Sequence, residues 1–438
     1  MRSAPSDRPR SRLIWTGPVG GCFGRLQAQG AIMVSSVSEG CAALLLAACT
    51  VLGPFASACA QQLPERTIEE IRDESIARAE RVGYPLIGLA PDDVRDAFRR
   101  IKTLDKDEWA AGWMAVGDTY AAKARELAGS DAALSRANWM KAWRLYGFGA
   151  WPVASSPGKQ KAYETALAAF LAAAKSLDPP LEVVRIPFEG KAIVGYLRLP
   201  KGTTAPVPVV FAIAGLDSRK ENLADQFAPI LAQGIAVFAL DGPGTGQSPV
   251  KASPTADRVF TRSLDYLASR KEIDAKRIVV HGVSFGGYWA AKLAIVEKAR
   301  IKAVSAQSPA VHDSYDPAFL KKKVFGNREY LFDYAPALMA VFEDVATFDD
   351  LAALYPRMSL LNQGLLGKPT APMLIIGGVL DSQVPISDAY RLLSAGDTPK
   401  EAWINPAGGH LGRQAKVWPD PVIFERVIIP FVVRNARG

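Results

Sequence analysis

The stretch VVHGVSFGGYW, residues 279–289, decides how the rest of the chain is read. Gly282-Val283-Ser284-Phe285-Gly286 has the form G-x-S-x-G. The β-branched run 277–281 before it reads as a short buried strand, and 287–296 after it reads as a helix with an apolar face. Strand, sharp turn and helix in that order would hold the Ser284 hydroxyl in the open. The backbone at such a serine is strained, and side chains two residues to either side would clash, so glycine is needed there. The pattern alone is short enough to arise by chance, and its meaning depends on partners elsewhere in the chain.

Outward from Ser284 the sequence alternates. Strands are expected at 207–213, 235–240, 277–281, 301–306, 372–376 and 401–404. Helices are expected near 221–232, 255–270, 286–297, 386–394 and 420–433. A hairpin precedes them, its two runs, 181–186 and 192–197, flanking a turn at 188–191. This order predicts a mostly parallel sheet covered on both faces, with function at the carboxyl ends of its strands. Residues 309–370 are too long for a loop and rich in aromatics, so they read as an inserted cap segment within a catalytic domain at 181–438. Residues 61–180 read as a helical N-terminal cap domain, opened by a capping box at Thr67-Ile68-Glu69-Glu70. Trp109, Trp113, Trp139, Trp143 and Trp151 fall in it, and either fill a helix-to-helix core or line an apolar pocket.

A serine needs a base, and the base an orienting acid. The chain has three histidines. His281 lies on the strand before the turn and reads as buried structure, and His312 has no supporting context. His410 sits in NPAGGH after the last strand, on a glycine loop. Asp381 follows the strand MLIIGG. Ser284, Asp381 and His410 therefore come in the order of a serine hydrolase triad, each just past a strand. Backbone N–H groups of Phe285 and Leu216 are the expected oxyanion donors, because Gly215 lets the chain turn toward the serine. Asp217, one residue on, either caps the next helix, orders its own loop, or acts as an acid or substrate contact.

GLDSRKE (215–221), DGPGTGQS (241–248), GVSFGGYWA (282–290) and GGVLDSQVP (377–385) together resemble the FrsA-like branch of the α/β-hydrolases. That resemblance spans roughly 64–438. It implies an α/β-hydrolase fold with an N-terminal helical region, and Ser284, Asp381 and His410 as the triad. The branch includes a carbon–carbon bond hydrolase with a catalytic glutamate where Asp217 stands. DGPGTGQS lacks the lysine of a phosphate loop and reads as a turn beneath the site.

The chain has 438 residues, 49% hydrophobic and 22% charged, with net charge +8. The basic residues form no stripe interleaved with stacking aromatics, so no nucleic-acid partner is expected. No H-E-x-x-H motif or Cys/His cluster occurs, so no metal or cofactor is expected. Cys22, Cys41, Cys49 and Cys59 are the only cysteines. Residues 41–58 form an apolar run ending near Ala58-Cys59-Ala60, an A-x-A site. Residues 1–60 therefore read as a signal peptide, with Met33 an alternative start and a product that is periplasmic or secreted. LAAC at 46–49 resembles a lipobox, and ASAC at 56–59 a poorer one, so a lipid anchor would be the one link to a membrane. A homo-oligomer is compatible with the sequence.

The leading expectation is a serine hydrolase of the carboxylesterase type, acting on a small, apolar or aromatic ester. The alternative is hydrolysis of a carbon–carbon bond in an aryl ketone or diketone, with Asp217 assisting. A peptidase is a third reading, since GVSFGGY also resembles the prolyl oligopeptidase elbow, but no propeller-like repeat precedes it. A binding protein on a hydrolase scaffold would show a broken triad.

Overall fold

The computed structural model describes residues 63–438 apart from Asn327. Residues 1–60, read above as a signal peptide and holding all four cysteines, lie outside the described residues.

Five helices come first: α1 (Ile68–Glu80), α2 (Pro91–Arg100), α3 (Lys106–Leu127), α4 (Ala132–Gly149) and α5 (Pro157–Ala174). Their starts are written in side chains. Thr67 and Glu70 close the capping box on α1. Asp105, Asp131 and Ser156 accept from the first-turn N–H groups of α3, α4 and α5. Each cap satisfies donors that a helix start leaves orphaned.

The sheet follows, with β1 (Glu182–Phe188), β2 (Lys191–Arg198), β3 (Val207–Ile213), α6 (Lys220–Gln226), β4 (Ala236–Leu240) and α7 (Arg258–Ser269). Then come β5 (Ile273–Val283), α8 (Phe285–Val296), β6 (Ala303–Gln307), α9 (Pro317–Phe325), α10 (Tyr334–Val341) and α11 (Phe348–Met358). The chain ends with β7 (Met373–Gly378), α12 (Ile386–Ser394), β8 (Lys400–Asn405), α13 (Asp420–Ile423) and α14 (Ile429–Arg437). The strands form one eight-stranded sheet in the order β1-β2-β4-β3-β5-β6-β7-β8. β2 pairs antiparallel with β1 and β4, and the remaining pairs are parallel. The central strands β3, β4, β6 and β7 are apolar almost throughout and buried, as a sheet covered on both faces requires.

One face carries α7, α8 and α12, with α10 and α11 from the insert continuing that core through Leu338 and Tyr355. The other carries α6 and α14, and α4 and α5 join them through Trp143, Tyr146 and Phe170. A third apolar cluster, built on Phe98, Trp109, Trp113 and Phe148, takes in Leu331 of the insert.

Three expected elements need correction. The helix expected at 221–232 breaks: α6 ends at Gln226 and a 3₁₀ turn, Ala228–Gln233, follows with Pro229 near its start. The helix expected at 420–433 runs on to Arg437 through a π turn at Phe424–Ile428. Pro430 lies four residues past Arg426, where it has no N–H to give and its ring would meet that carbonyl, so the local ladder widens. The strand expected at 277–281 is longer, running from Ile273, which pairs with Val207 across an irregular register, to Val283.

Candidate active site

β5 ends at Val283 and α8 begins at Phe285, so Ser284 is the single residue of the turn. Its backbone has φ 55° and ψ −116°, a conformation that L-residues rarely adopt. The Ser284 N–H is anchored to the Gln307 carbonyl of β6 at 2.8 Å. The flanking glycines are required by close approach. A Cβ at Gly282 would collide with the backbone of Gly286, and one at Gly286 with the carbonyl of Ile213.

Ser284 Oγ lies 2.8 Å from His410 Nε2. His410 Nδ1 lies 2.9 Å from Asp381 Oδ2 and 3.0 Å from its Oδ1. His410 enters from the loop after β8, and Asp381 from the loop after β7. Burial works against a charged imidazole, but the Asp381 carboxylate outweighs it and holds His410 above its ordinary pKa. Burial likewise works against the Asp381 carboxylate. The charge and hydrogen bond of His410, with the N–H groups of Val384 and Gln383, overcome it and hold Asp381 below the usual range.

Ser308 was not singled out from the sequence. It follows β6 with φ 45°, its Oγ donating to Asp381 Oδ2 at 2.9 Å and accepting from the Leu411 N–H at 3.0 Å. Gln307 Nε2 donates to the Leu411 carbonyl at 3.0 Å. The end of β6 thus fixes both the Asp381 carboxylate and the loop of His410. The available signal was positional, since Ser308, like Ser284 and Asp381, sits just past a strand's carboxyl end.

Leu216 and Phe285 line the same cavity as Ser284 and His410. Phe285 opens α8, where an N–H has no partner inside its own helix. Gly215 brings the other loop close, as a Cβ there would lie 2.9 Å from the Val283 carbonyl and 3.3 Å from Ser284 Cβ. Asp241, first residue of DGPGTGQS, braces that loop from below. Its carboxylate accepts from the Lys220 N–H, Lys220 Nζ and the Gln247 N–H, each at 2.9 Å. The stretch is therefore a turn supporting the 215–221 loop.

Asp217 does not cap α6. Its Oδ2 accepts from the Tyr84 hydroxyl and, at 3.3 Å, from Trp151 Nε1, both in the N-terminal region. Burial lifts this carboxyl above the ordinary aspartate range, against the pull of Arg413, Arg219 and His410. Trp151 is one of the five N-terminal tryptophans, and they divide. Trp109 and Trp113 are core and Trp139 packs partly buried against the second apolar cluster, whereas Trp143 and Trp151, also buried, border the cleft beside Ser284.

Two spaces meet at Ser284 and His410. One is a cavity of about 50 Å³ under the insert, walled largely by aromatic side chains. The other is an open cleft of about 700 Å³ lined by Asp217, Tyr84, Trp151 and Arg413. The two remaining histidines stand apart from this chemistry. His281 is buried with Nδ1 3.2 Å from Ser305 Oγ, and burial lowers its pKa to about 3. His312 Nδ1 lies 2.7 Å from Ser359 Oγ within the insert.

Comparison with known proteins agrees with this architecture. Among curated relatives, Esterase FrsA of Enterobacter sp. (strain 638) is 27% identical over 321 residues, covering 68% of this chain and 76% of its own. Hydrolyase poxO of Penicillium oxalicum (strain 114-2 / CGMCC 5302) is 26% identical over 378 residues, covering 75% and 89%. Among solved structures, 2,6-dihydroxy-pseudo-oxynicotine hydrolase matches with TM-score 0.65 at 21% identity, over 83% of this chain and 95% of that one. AbyA5 matches at TM-score 0.64 and 18% identity, over 85% and 95%. These two share the α/β-hydrolase fold with the present chain. The model of the family described as Esterase FrsA-like matches residues 95–404, well over half of the sequence, and the chain belongs to that family of hydrolases.

Proposed function

We propose that this protein is a serine esterase that cleaves a small carboxylic ester through an acyl-enzyme. The observation that carries the reading is the unbroken chain from Ser284 Oγ through His410 to Asp381, at 2.8 and 2.9 Å. Ser284 Oγ attacks the carbonyl carbon while His410 Nε2 takes its proton. The N–H groups of Leu216 and Phe285 receive the oxyanion. Collapse expels the alkoxide, which leaves as alcohol with the proton from His410. Water, deprotonated by His410, then attacks acyl-Ser284 and releases the acid. Asp381 keeps the Nδ1–H directed toward itself and stabilises the imidazolium. A fluorophosphonate should form one adduct, on the peptide containing Ser284, and none in Ser284→Ala. An adduct that persists at another serine in that variant overturns the assignment.

We further propose that the protein is exported. The support is the apolar run ending at Ala58-Cys59-Ala60 and the absence of cysteine from residues 60–438. Mass spectrometry of the exported protein should find an N-terminus near Gln61 or a lipidated Cys49 or Cys59. An intact cytoplasmic chain contradicts it.

A second reading, carbon–carbon bond hydrolysis, is favoured by one observation. A carboxyl with raised pKa, held by Tyr84 and Trp151, faces the cleft that Ser284 and His410 share. A carbanion leaving group must be protonated or stabilised as it departs, and Asp217 is placed for that work. Asp217→Asn should then abolish aryl-ketone cleavage and spare aryl-ester cleavage. Equal loss of both with a lowered Tm assigns Asp217 to structure.

A further inference from the structure

The two spaces at Ser284 differ in size and chemistry, and their positions assign them to the two halves of an ester. The oxyanion donors Leu216 and Phe285 border the small cavity and not the cleft. The loop that follows the base, through Leu411 and Arg413, borders the cleft and not the small cavity. Both spaces touch Ser284 and His410, and the oxyanion donors lie on the side of the small cavity, so the acyl group is assigned to that cavity and the leaving group to the cleft.

That cavity, about 50 Å³, is far smaller than the roughly 150 Å³ of an engineered cavity that accepts benzene. It holds an acyl chain of two or three carbons. Its wall is mostly Tyr315, Tyr334, Leu338, Phe342 and Tyr355, yet two polar atoms in it are left over. The hydroxyls of Ser314 and Tyr315 have no hydrogen-bond partner, although these residues are only 1% and 4% exposed. Buried hydroxyls without partners are costly unless a ligand supplies one. Lys323 and Gln383 line the same wall, adding further polar side chains.

We propose that the acyl half of the substrate is a short chain bearing an oxygen substituent, a hydroxyacyl or oxoacyl group of two or three carbons, whose oxygen is held by Ser314 and Tyr315. This rests on the esterase reading above and names its substrate class.

The test is a series of phenyl esters assayed with the full-length protein: acetate, propionate, butyrate, hexanoate and glycolate. Glycolate and propionate differ only by hydroxyl for methyl, so their kcat/KM ratio isolates the oxygen. Comparing that ratio between wild type and variant cancels the intrinsic reactivity of each ester. Among the unsubstituted acyl chains activity should peak at acetate or propionate and fall by about tenfold or more at hexanoate, because overfilling a packed wall is costly. The glycolate-to-propionate ratio should fall about three- to tenfold in Tyr315→Phe and in Ser314→Ala, the worth of one hydrogen bond. Leu338→Ala, which opens the same wall, should move the optimum to longer chains. Hexanoate cleaved as well as propionate, or a ratio unchanged in both hydroxyl variants, overturns the proposal while leaving the esterase intact. Cleavage of no ester in the series, with Ser284 unlabelled by fluorophosphonate, overturns the esterase reading and this one with it.

Discussion

The segment between β6 and β7 gives the site Tyr315, Tyr334 and Tyr355, whereas the N-terminal helices and their loops give it Tyr84 and Trp151, and the two sets act differently. The tyrosines of the insert pack against one another. Tyr315 lies 5.4 Å from Tyr355, and Tyr334 stacks at 3.9 Å on Tyr330. They enclose a small space and fix its volume. Tyr84 and Trp151 turn their polar atoms to Asp217 and leave an open cleft. One cover encloses a small space, and the other holds a carboxyl beside an open cleft. Specificity on the two sides of Ser284 should therefore respond to different mutations.

The largest effect should ignore that division. His410→Ala should lower kcat/KM by about 10⁴-fold for every substrate, whatever its acyl or leaving group, in a protein that still folds. A loss confined to one ester class would mean that the two spaces do not share a base.

Acid should act on both sides alike. His410 must be neutral to take the Ser284 proton, and its pKa stands above the ordinary 6.5, the Asp381 carboxylate having outweighed burial. Activity is therefore present above that raised pKa and lost as pH falls through it, by about tenfold per unit. A pH profile of kcat/KM should show this limb with its midpoint above 6.5, equal for acetate and propionate esters. A midpoint below 6.5 would contradict the electrostatic account.

Asp333→Ala tests whether the two covers are one body. The Asp333 carboxylate, on the insert, lies 2.6 Å from Lys159 Nζ and 2.9 Å from Lys106 Nζ, and it accepts from Ser155 Oγ at 2.6 Å. Lys159 and Asp333 are both buried, and burial lowers the Lys159 pKa to about 8 even with this partner. Removing the carboxylate leaves a buried ammonium unpaired, at about 3–5 kcal/mol. Denaturant unfolding should show that loss. An unchanged midpoint would mean that the covers are held elsewhere.

The smallest effect should be one-sided. Trp151→Phe removes one donor from Asp217 and should lower kcat/KM about threefold. The change should depend on the leaving group and spare the order of acyl-chain preference. A shifted chain-length optimum would blur the distinction between the covers.

What the sequence made legible follows the same physical division. Ser284, Asp381 and His410 each follow closely on a strand's carboxyl end, so local pattern singled them out as candidates, and the structure brings them within hydrogen-bond reach. The turn at Asp241 was legible for the same reason. Contacts made across the chain were not. Tyr84 meets Asp217 from 133 residues away, and no periodicity encodes such a pairing. Ser308 carries no motif. Its role depends on β6 lying beside β7, an order set only when the sheet assembles. Helical periodicity runs through both the break after Gln226 and the π turn at Phe424–Ile428, so only Pro229 and Pro430 mark them in the sequence.

The junction between the covers has a consequence for how this protein can vary. Arg78 donates to the backbone carbonyls of Arg328 and Glu329 at 2.9 and 2.6 Å, and Arg66 to those of Arg328 and Tyr330. Every residue type offers the same carbonyl, so substitutions at 328–330 leave those acceptors standing. One residue gained or lost between α9 and Asp333 instead presents each arginine with the wrong carbonyl. For these hydrogen bonds the number of residues matters and their identity does not, and a transplanted insert would have to match the spacing that Arg66 and Arg78 count.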